Sequence, residues 1–314
     1  MQRIESPIMF EEQTMNKVIF GDCRDSMRQM ITDGVKVQMC VTSPPYFNLR
    51  DYGHPGQIGL EATPDEFIAK LVEVFSLVRE LLADDGILWV NIGDSYAANR
   101  SYQVPDTKHI DVGNNKGMMA DSFGLKPKDL MGIPWMLAFA LRADGWYLRQ
   151  DIIWSKPNPM PESVTDRCTK SHEYIFLLSR SEKYYYNHEA IKVPVKQDWG
   201  TRDRKDGKYH NEGTGLNPHS GLEKSYEKAN KRSVWEVATQ PYFGAHFATY
   251  PPALIEPCIL AGSRVGDIVI DPFFGSGTSG QVAQALGRKW IGCELNPEYA
   301  DLQKERVAQQ GLIF

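Results

Sequence analysis

Helices are the clearest feature of the hydrophobic pattern, and the best defined lies at 63–82. Thr63 and Glu66 match a capping box there, and Pro64 takes the first helical position. Apolar residues then recur every three or four positions, which predicts a helix over the whole range. The same spacing predicts further helices after Asp22 and at 129–143, 252–261, 278–286 and 297–309.

Short apolar runs that end at Gly, Pro, Asn or Asp predict strands between these helices. They lie at 17–21, 37–42, 87–93, 147–154, 172–179, 183–187, 267–271 and 289–294. In the C-terminal third, strands and helices alternate strictly, which is typical of a parallel sheet with helices on both faces. The runs at 172–179 and 183–187 predict a hairpin. The pattern therefore favours an α/β fold.

Two polar segments interrupt this pattern. Residues 94–128 are rich in Gly, Asn, Asp and Lys and predict a long loop, and loops of this length are often functional. Residues 196–233 contain nine Lys or Arg against six Asp or Glu and few apolar positions, which suits contact with a polyanion or an ordinary solvated loop. We therefore predict an N-terminal arm at 1–16, a catalytic part at 17–195, a target-recognition insert at 196–233 and a cofactor-binding part of the same domain at 234–314.

Composition narrows the class of protein. The chain has 314 residues, of which 42% are hydrophobic, so it is long enough for a large globular domain and too apolar for a disordered one. A net charge of −5 gives no global basic signature, so any nucleic-acid contact must come from a local patch. The five cysteines are far apart and form no CxxC, which argues against a structural zinc site and for reduced thiols. We expect no metal, no secretory leader and no membrane span, because no apolar run approaches the ~20 residues that a span needs.

The residues DPFFGSGTSG, 271–280, join a predicted strand to a predicted helix. Three of them, Gly275, Gly277 and Gly280, are spaced as GxGxxG, and Glu294 ends the next strand. Glycines let the backbone approach a ligand closely, and a carboxylate at the next strand end accepts hydrogen bonds from two ribose hydroxyls. The sequence therefore predicts a ligand that contains a nucleoside.

Two kinds of nucleoside ligand fit this turn. NAD suits the glycine spacing, so an NAD-dependent dehydrogenase stays open, whereas the Lys-Ser or Lys-Thr pair of a P-loop is missing. Asp271, Pro272 and Phe273 stand directly before the glycines, and a carboxylate there repels a pyrophosphate. It suits a ligand with an adenine and a cationic amino-acid end, as in S-adenosyl-L-methionine.

Two consecutive prolines end the strand at 37–42, in the stretch VTSPPYFNL. Proline donates no backbone hydrogen bond and restricts the residue before it, so a β-ladder stops there. Such a turn by itself is most often a simple strand terminator. Its presence in a chain that also carries the glycine turn favours a functional role.

Five segments together resemble the beta group of DNA amino-methyltransferases. They are TSPPY (42–46), DPFFGSGT (271–278), HFATYP (246–251), GCELNPEY (292–299) and IFGDCRDSM (19–27). Enzymes of this family transfer a methyl group from S-adenosyl-L-methionine to an exocyclic amine of a DNA base. The resemblance covers nearly all of the chain from about residue 17, and its motif order is that of the circularly permuted beta group. It implies a Rossmann-like methyltransferase fold with the TSPPY turn and the glycine turn at the carboxyl ends of adjacent parallel strands.

The resemblance also implies a cofactor site. It assigns Asp22 to the adenine and Glu294 to the ribose of S-adenosyl-L-methionine. The other cofactor-binding residues that it implies are Cys23, Thr42, His246, Thr249, Asp271, Pro272, Phe273, Gly275, Gly277 and Thr278.

The catalytic residues that the resemblance implies are Ser43, Pro44, Pro45 and Tyr46. An exocyclic amine is a poor nucleophile because its lone pair is delocalised into the base. We expect the Ser43 hydroxyl and the Pro44 carbonyl to accept hydrogen bonds from the N–H groups of this amine, and Tyr46 to stack on the flipped-out base. Thr-Ser before the prolines, after an aliphatic residue, is typical of N4-cytosine enzymes. We therefore favour N4 of cytosine, with N6 of adenine as the alternative.

Double-stranded DNA is the implied partner. The candidate DNA contacts are Lys156, Asn158, Trp199, Arg202, Arg204, Lys205 and Tyr209, with Lys108 and Lys116 in the long loop. The resemblance further implies a cytoplasmic, nucleoid-associated enzyme of bacterial or phage origin, with a cognate restriction endonuclease as a candidate partner. It leaves the oligomeric state open.

Two short motifs lie outside this scheme. Pro257-Cys258 matches the nucleophile dipeptide of C5-cytosine methyltransferases, but it falls in a predicted apolar helix, so we expect a core cysteine. His172-Glu173 lacks the second His of a zinc-binding HExxH motif, so we expect it to begin a strand.

Overall fold

The computed structural model describes residues 15–97, 124–195, 227–240 and 250–308. In these ranges the strands are β1 (Lys17–Phe20), β2 (Val37–Thr42), β3 (Leu82–Ile92), β4 (Tyr147–Ser155), β5 (His172–Ser179), β6 (Val193–Pro194), β7 (Lys228–Ala229), β8 (Val234–Glu236), β9 (Ile268–Asp271) and β10 (Lys289–Glu294). The α-helices are α1 (Cys23–Thr32), α2 (Pro64–Leu81), α3 (Ile133–Ala143), α4 (Pro252–Gly262), α5 (Thr278–Ala285) and α6 (Ala300–Ala308).

The main sheet has eight strands in the order β1-β10-β9-β2-β3-β5-β4-β8. The first five strands in this order, β1, β10, β9, β2 and β3, are parallel to one another. The next strand, β5, runs antiparallel to both of its neighbours, β3 and β4. The predicted mostly parallel sheet is confirmed. β9 and β2 are adjacent, so the glycine turn and the TSPPY turn leave the sheet side by side, as the resemblance implied.

Alternate residues of the central strands face two separate layers of helices. Cys40 of β2 belongs to a buried cluster with residues of α1, α2 and α3. Its neighbours Met39 and Val41 belong to a second cluster, with residues of α4 and α5. Since successive side chains of a strand point to opposite faces, helices cover the sheet on both sides. β2 is accordingly buried along its whole length.

Local signals predicted most element boundaries. The Thr63 side chain accepts the Glu66 N–H at 3.2 Å, so α2 begins at the predicted cap. Helix α3 begins at Ile133, later than the predicted 129–143. The Asp94 side chain accepts the N–H groups of Gly132 and Ile133 at 3.1 Å, which sets the start of this helix.

The predicted strand at 183–187 is wrong. β5 pairs with β3 on one side and with β4 on the other, so neither of its edges is left for a hairpin partner. The backbone of 183–187 instead makes single contacts: Tyr185 N–H donates to Asp85 O at 2.9 Å, and Asn187 N–H donates to Ala261 O at 2.8 Å.

A pair of short strands joins the two sides of the range 196–226: β6 precedes it, and β7 lies within the predicted insert at 196–233. β6 pairs antiparallel with β7, and Val195 N–H donates to Glu227 O at 3.1 Å. β8 then joins the main sheet beside β4. Val195 and Glu227, the described residues on either side of 196–226, therefore lie next to each other.

None of the helices in the described part of the chain combines the length and the apolar character that a membrane span requires.

Candidate active site

Polar side chains stand at the carboxyl ends of four adjacent parallel strands. Asp22 follows β1, Glu294 ends β10, Asp271 ends β9 and Thr42 ends β2. The carboxyl edge of a parallel sheet is the usual ligand crevice of α/β proteins. Three carboxylates along this edge favour a ligand with a cationic group.

Asp271 links the two turns. Thr42 donates to its Oδ1 at 2.5 Å and Ser279 donates to its Oδ2 at 2.6 Å. The Phe273 N–H and the Tyr250 hydroxyl complete the set, at 3.0 and 3.2 Å. Burial raises the pKa of Asp271, and the four hydrogen bonds oppose that rise. Because a carboxylate has about four acceptor positions, all of them are filled from within the protein.

The glycine turn is shaped by the aromatic ring of Phe274. The ring stacks on Trp290 with centroids 5.0 Å apart. A Cβ at Gly280 or Gly292 would lie 2.6 or 2.4 Å from this ring, so both positions require glycine. Gly277 has φ +89°, which favours glycine for a different reason. Gly280, the last glycine of the GxGxxG pattern, therefore allows helix α5 to pack closely against the Phe274 ring and Trp290 of β10.

Helix α6 supports the glycine turn from outside the motif. Gln303 donates to the Gly275 carbonyl at 2.7 Å, and Arg306 donates to the Ser276 hydroxyl at 2.6 Å. Both side chains belong to buried residues. Sequence reasoning missed these two residues, because Gln and Arg in a helix resemble ordinary surface positions.

Glu294 lies against the glycine turn. Its carboxylate accepts the N–H groups of Gly275 and Asn296 at 2.8 and 2.9 Å. Burial raises the pKa of Glu294 to about 7, although these hydrogen bonds lower it. Burial raises the pKa values of Tyr52 and Tyr299, and the negative charge of the nearby Glu294 also raises them. The loop that follows TSPPY thus reaches this carboxylate, which the sequence did not reveal.

Asp22 has a structural role at the start of α1. It accepts the Arg24 backbone N–H at 2.9 Å and forms an ion pair with the Arg24 guanidinium at 2.5 Å. That pairing lowers the pKa of Asp22. Cys23 beside it is buried, and burial raises the pKa of its thiol to about 12. Asp22 and Cys23 lie next to Glu294, because β1 and β10 are paired.

The TSPPY turn presents three partly exposed residues, Ser43, Pro45 and Tyr46. Pro44 is buried, while Ser43 and Tyr46 keep part of their surface open. The turn is held by the loop after it, because Asn48 N–H donates to the Gly59 carbonyl at 2.7 Å. The buried Glu61 accepts the Gly59 N–H at 2.8 Å. These hydrogen bonds join the TSPPY turn to the loop that follows it.

The Tyr46 ring occupies a space left by Gly93. A Cβ at Gly93 would lie 2.7 Å from Tyr46 Cε2. The Tyr46 hydroxyl donates to Glu173 Oε2 at 2.5 Å. Burial and the Glu173 charge raise the pKa of Tyr46 well above its usual value, so the phenol stays protonated. Glu173 begins β5 as predicted, but its contact with the TSPPY turn was not predicted.

Two of the candidate DNA contacts have partners within the protein. Lys156 forms an ion pair with Glu173 and lies over the Trp154 ring at 4.3 Å. Asn158 bonds to the backbone of Thr239, at 3.1 and 2.9 Å. Both residues lie beyond the end of β4. The remaining candidates lie outside the described residues: Trp199, Arg202, Arg204, Lys205, Tyr209, Lys108, Lys116 and the cofactor candidates His246 and Thr249.

Neither of the two other motifs forms a reactive or metal site. Cys258 is fully buried in α4, and burial raises the pKa of its thiol, as expected for a core cysteine. Among the described residues, no group of three or more His, Cys, Asp or Glu side chains is arranged to hold a metal ion.

Sequence comparison finds close relatives over nearly the whole chain. A family model described as DNA methylase, of the N6/N4 type, matches residues 37–305. The type II methyltransferase M.SmaI of Serratia marcescens is 48% identical over 301 residues, covering 94% of this chain and 91% of the relative. The type II methyltransferase M.Cfr9I of Citrobacter freundii is 49% identical over 289 residues, covering 91% and 86%.

Structure comparison finds the same fold. The PvuII DNA methyltransferase, described as cytosine-N4-specific, aligns with a TM-score of 0.62 at 17% identity and covers 94% of this chain and 87% of its own. TTHA0409 of Thermus thermophilus, solved with S-adenosyl-L-methionine, aligns with a TM-score of 0.57 at 23% identity and covers 95% and 96%.

Proposed function

The chain belongs to the N6/N4 family of DNA methylases, and we propose that it methylates N4 of cytosine within a specific sequence of double-stranded DNA. The family reaction is the transfer of a methyl group from S-adenosyl-L-methionine to an exocyclic base amine. Membership of this family excludes the NAD-dependent dehydrogenase, which the glycine spacing alone had left as an alternative. The observation that supports cytosine over adenine is Thr42-Ser43 before the prolines.

The residues at the carboxyl edge fit S-adenosyl-L-methionine. A Cβ at Gly275 would meet no heavy atom closer than 3.9 Å, so the turn leaves room for a ligand against its backbone. The carboxylates of Asp271 and Glu294 suit a cation and disfavour a pyrophosphate, whereas the Asp22 carboxylate is paired with Arg24. When bound, S-adenosyl-L-methionine supplies an electrophilic methyl group on a sulfonium. In our proposal Glu294 holds the ribose, Asp22 lies at the adenine, and the glycine turn lies against the amino-acid end.

The protein's own part in the reaction is to localise the lone pair of the amine. The Ser43 hydroxyl and the Pro44 carbonyl accept hydrogen bonds from the two N–H groups of the amine on the flipped-out base, and the prolines keep these acceptors in place. Tyr46 offers a partly exposed ring for the base to stack on, which offsets part of the cost of flipping, a few kcal/mol. The bond from Thr42 to Asp271 ties the acceptors to the cofactor turn.

We assign target recognition to the basic segment, because its two ends meet at β6 and β7. An insert that leaves and re-enters the domain at one place can contact DNA without disturbing the sheet. The type II names of the relatives support a restriction endonuclease of the same specificity as a partner in the host.

Mass analysis of nucleosides tests which base is modified. DNA from a host that expresses the protein should contain N4-methylcytosine, and DNA from the same host with the empty vector should not. N6-methyladenine without N4-methylcytosine would show that adenine is the target. Sequencing that detects modified bases on the same DNA then identifies the recognition site.

The affinity for S-adenosyl-L-methionine should fall as the pH is lowered through about 7. The pKa of Glu294 is raised to about 7, so half of the free protein carries a neutral carboxyl there at that pH. Ribose hydroxyls donate to a carboxylate and favour its ionised form, so binding is strongest above this pKa. Calorimetric titration on either side of neutrality measures the effect.

Two variants isolate this pH dependence. Glu294→Gln should bind the cofactor weakly and with no step near neutrality. Glu298→Gln removes an exposed carboxylate four residues away and should keep the wild-type pH profile. An unchanged step in Glu294→Gln would assign the titration to another group.

A further inference from the structure

A network of polar side chains lies behind the TSPPY turn, and Glu173 is at its centre. Two donors meet its Oε2: the Tyr46 hydroxyl at 2.5 Å and the Asn91 amide at 3.2 Å. Lys156 forms an ion pair with Oε1. The Glu173 side chain is only 14% exposed, so its charge is largely withdrawn from water. The network joins β3, β4 and β5 to the turn after β2.

We propose that Glu173 is a positioning residue for methyl transfer, which holds the Tyr46 ring in the orientation that the flipped base stacks on. The proposal rests on the family reaction and on the stacking role of Tyr46, and it is independent of which base is methylated. Glu173 itself touches neither the base nor the cofactor in this scheme. It acts through the phenol.

The Tyr46 ring is fixed at two points. Close contact with Gly93 sets the position of one ring edge. The hydrogen bond to Glu173 fixes the tip of the ring, and bonds to a charged acceptor are about twice as strong as neutral ones. Gly93 also leaves room for the carboxylate, since a Cβ there would lie 3.4 Å from Glu173 Cδ. A ring that is immobilised before the base arrives loses less entropy when the base stacks on it.

The surroundings of Glu173 hold this acceptor in place. A nearly buried carboxylate is costly unless it is paired, and Lys156 provides the pairing. Lys156 in turn lies over the Trp154 ring at 4.3 Å, which restricts its movement. Lys156 and Asn91 therefore hold the carboxylate at the place where the Tyr46 hydroxyl meets it.

A purely architectural role would also produce an ion pair between β4 and β5. The two roles differ in what they predict for catalysis. An architectural carboxylate contributes to folding stability, and its loss acts independently of the Tyr46 hydroxyl. A positioning carboxylate and the phenol act as one unit, so removing either should have the same effect on the rate of methyl transfer.

Single-turnover methylation of a saturating cognate duplex tests the proposal with Glu173→Gln, Tyr46→Phe and the double variant. Each single variant should slow transfer by about tenfold, the effect expected for one lost charge-assisted bond. The double variant should be no slower than the slower single one. The affinities for duplex and for S-adenosyl-L-methionine should stay within about twofold, because neither group binds them in this scheme.

The control is Glu189→Gln, which removes a carboxylate of a comparable ion pair, with Lys192 at 2.6 Å, on the exposed surface. It should transfer methyl groups at the wild-type rate. Wild-type rates in Glu173→Gln, or losses that multiply in the double variant, would overturn the proposal. If Glu173→Gln does not fold, Tyr46→Phe decides, because an unchanged rate in that variant also overturns it.

Failure of the stacking role gives a different result. Tyr46→Ala with wild-type transfer would remove the role of Tyr46 and the present proposal with it. An inactive Tyr46→Ala together with a fully active Glu173→Gln would contradict the present proposal alone.

Discussion

Ser43→Ala is expected to slow methyl transfer by about 10²- to 10³-fold, the usual size of the loss when one preorganised polar group is removed from a reaction centre. The hydroxyl is one of two acceptors that localise the lone pair of the target amine. Its loss leaves the Pro44 carbonyl as the only acceptor from this turn. Substrate binding should change little, because an acceptor that acts mainly in the transition state contributes mainly to the rate.

The structure makes this a selective substitution. Ser43 is partly exposed, and the neighbouring Tyr46 hydroxyl keeps Glu173 as its acceptor when Ser43 is replaced by alanine. The fold should therefore be unaffected, and thermal unfolding should occur near the wild-type temperature. Single-turnover transfer of a labelled methyl group to duplex DNA measures the loss.

Ser181→Ala is the matched control for Ser43→Ala. The Ser181 hydroxyl donates to the backbone carbonyl of Asp84 at 2.7 Å, away from the carboxyl edge of the sheet. This variant should transfer methyl groups at the wild-type rate. Full activity of Ser43→Ala would contradict the catalytic role of its hydroxyl.

Asp271→Ala should destabilise the protein by about 3–5 kcal/mol, because it leaves several buried donors without an acceptor. The Thr42 and Ser279 hydroxyls lose their partners at 2.5 and 2.6 Å, and both residues are buried. The Phe273 N–H and Tyr250 hydroxyl lose theirs as well. Urea unfolding measures the loss as a lower midpoint. Cofactor affinity should fall too, since the carboxylate links the glycine turn to β2.

Two companion variants separate stability from binding. Asp271→Asn should lose less stability, because the amide oxygen still accepts from two of the four donors and two hydroxyl partners can rotate to accept from the new N–H groups. Its cofactor affinity should still fall if the negative charge attracts the cationic ligand. Asp267→Ala removes a partly exposed carboxylate that precedes β9, which accepts the Arg264 backbone N–H at 2.7 Å and pairs with the Arg264 guanidinium at 3.6 Å, and it should cost about 1–2 kcal/mol. Equal stability of Asp271→Ala and Asp267→Ala would contradict the linking role.

Local patterns in the sequence were sufficient to place most of the helices and strands. Helix α2 has its cap at Thr63, and β2, β5 and β10 occupy the predicted ranges. The spacing of apolar residues shows which face of a segment is buried, and capping residues show where a helix begins. Both depend only on residues that are close together in the sequence. The boundaries failed where a distant contact decided them. Asp94 accepts the N–H groups at the start of α3, and the pairing of β5 on both sides leaves 183–187 outside the sheet.

The same division holds for the site. The five motif segments, through their resemblance to DNA amino-methyltransferases, were sufficient to predict a methyltransferase and the adjacency of β2 and β9. Only the tertiary structure decided which side chains hold those motifs in place. Asp271 bonds to Thr42, 229 residues away, and Tyr46 bonds to Glu173, 127 residues away. The periodicity of a sequence encodes which face of an element is buried, but hydrogen-bond partners so far apart along the chain are set by how the strands assemble into a sheet.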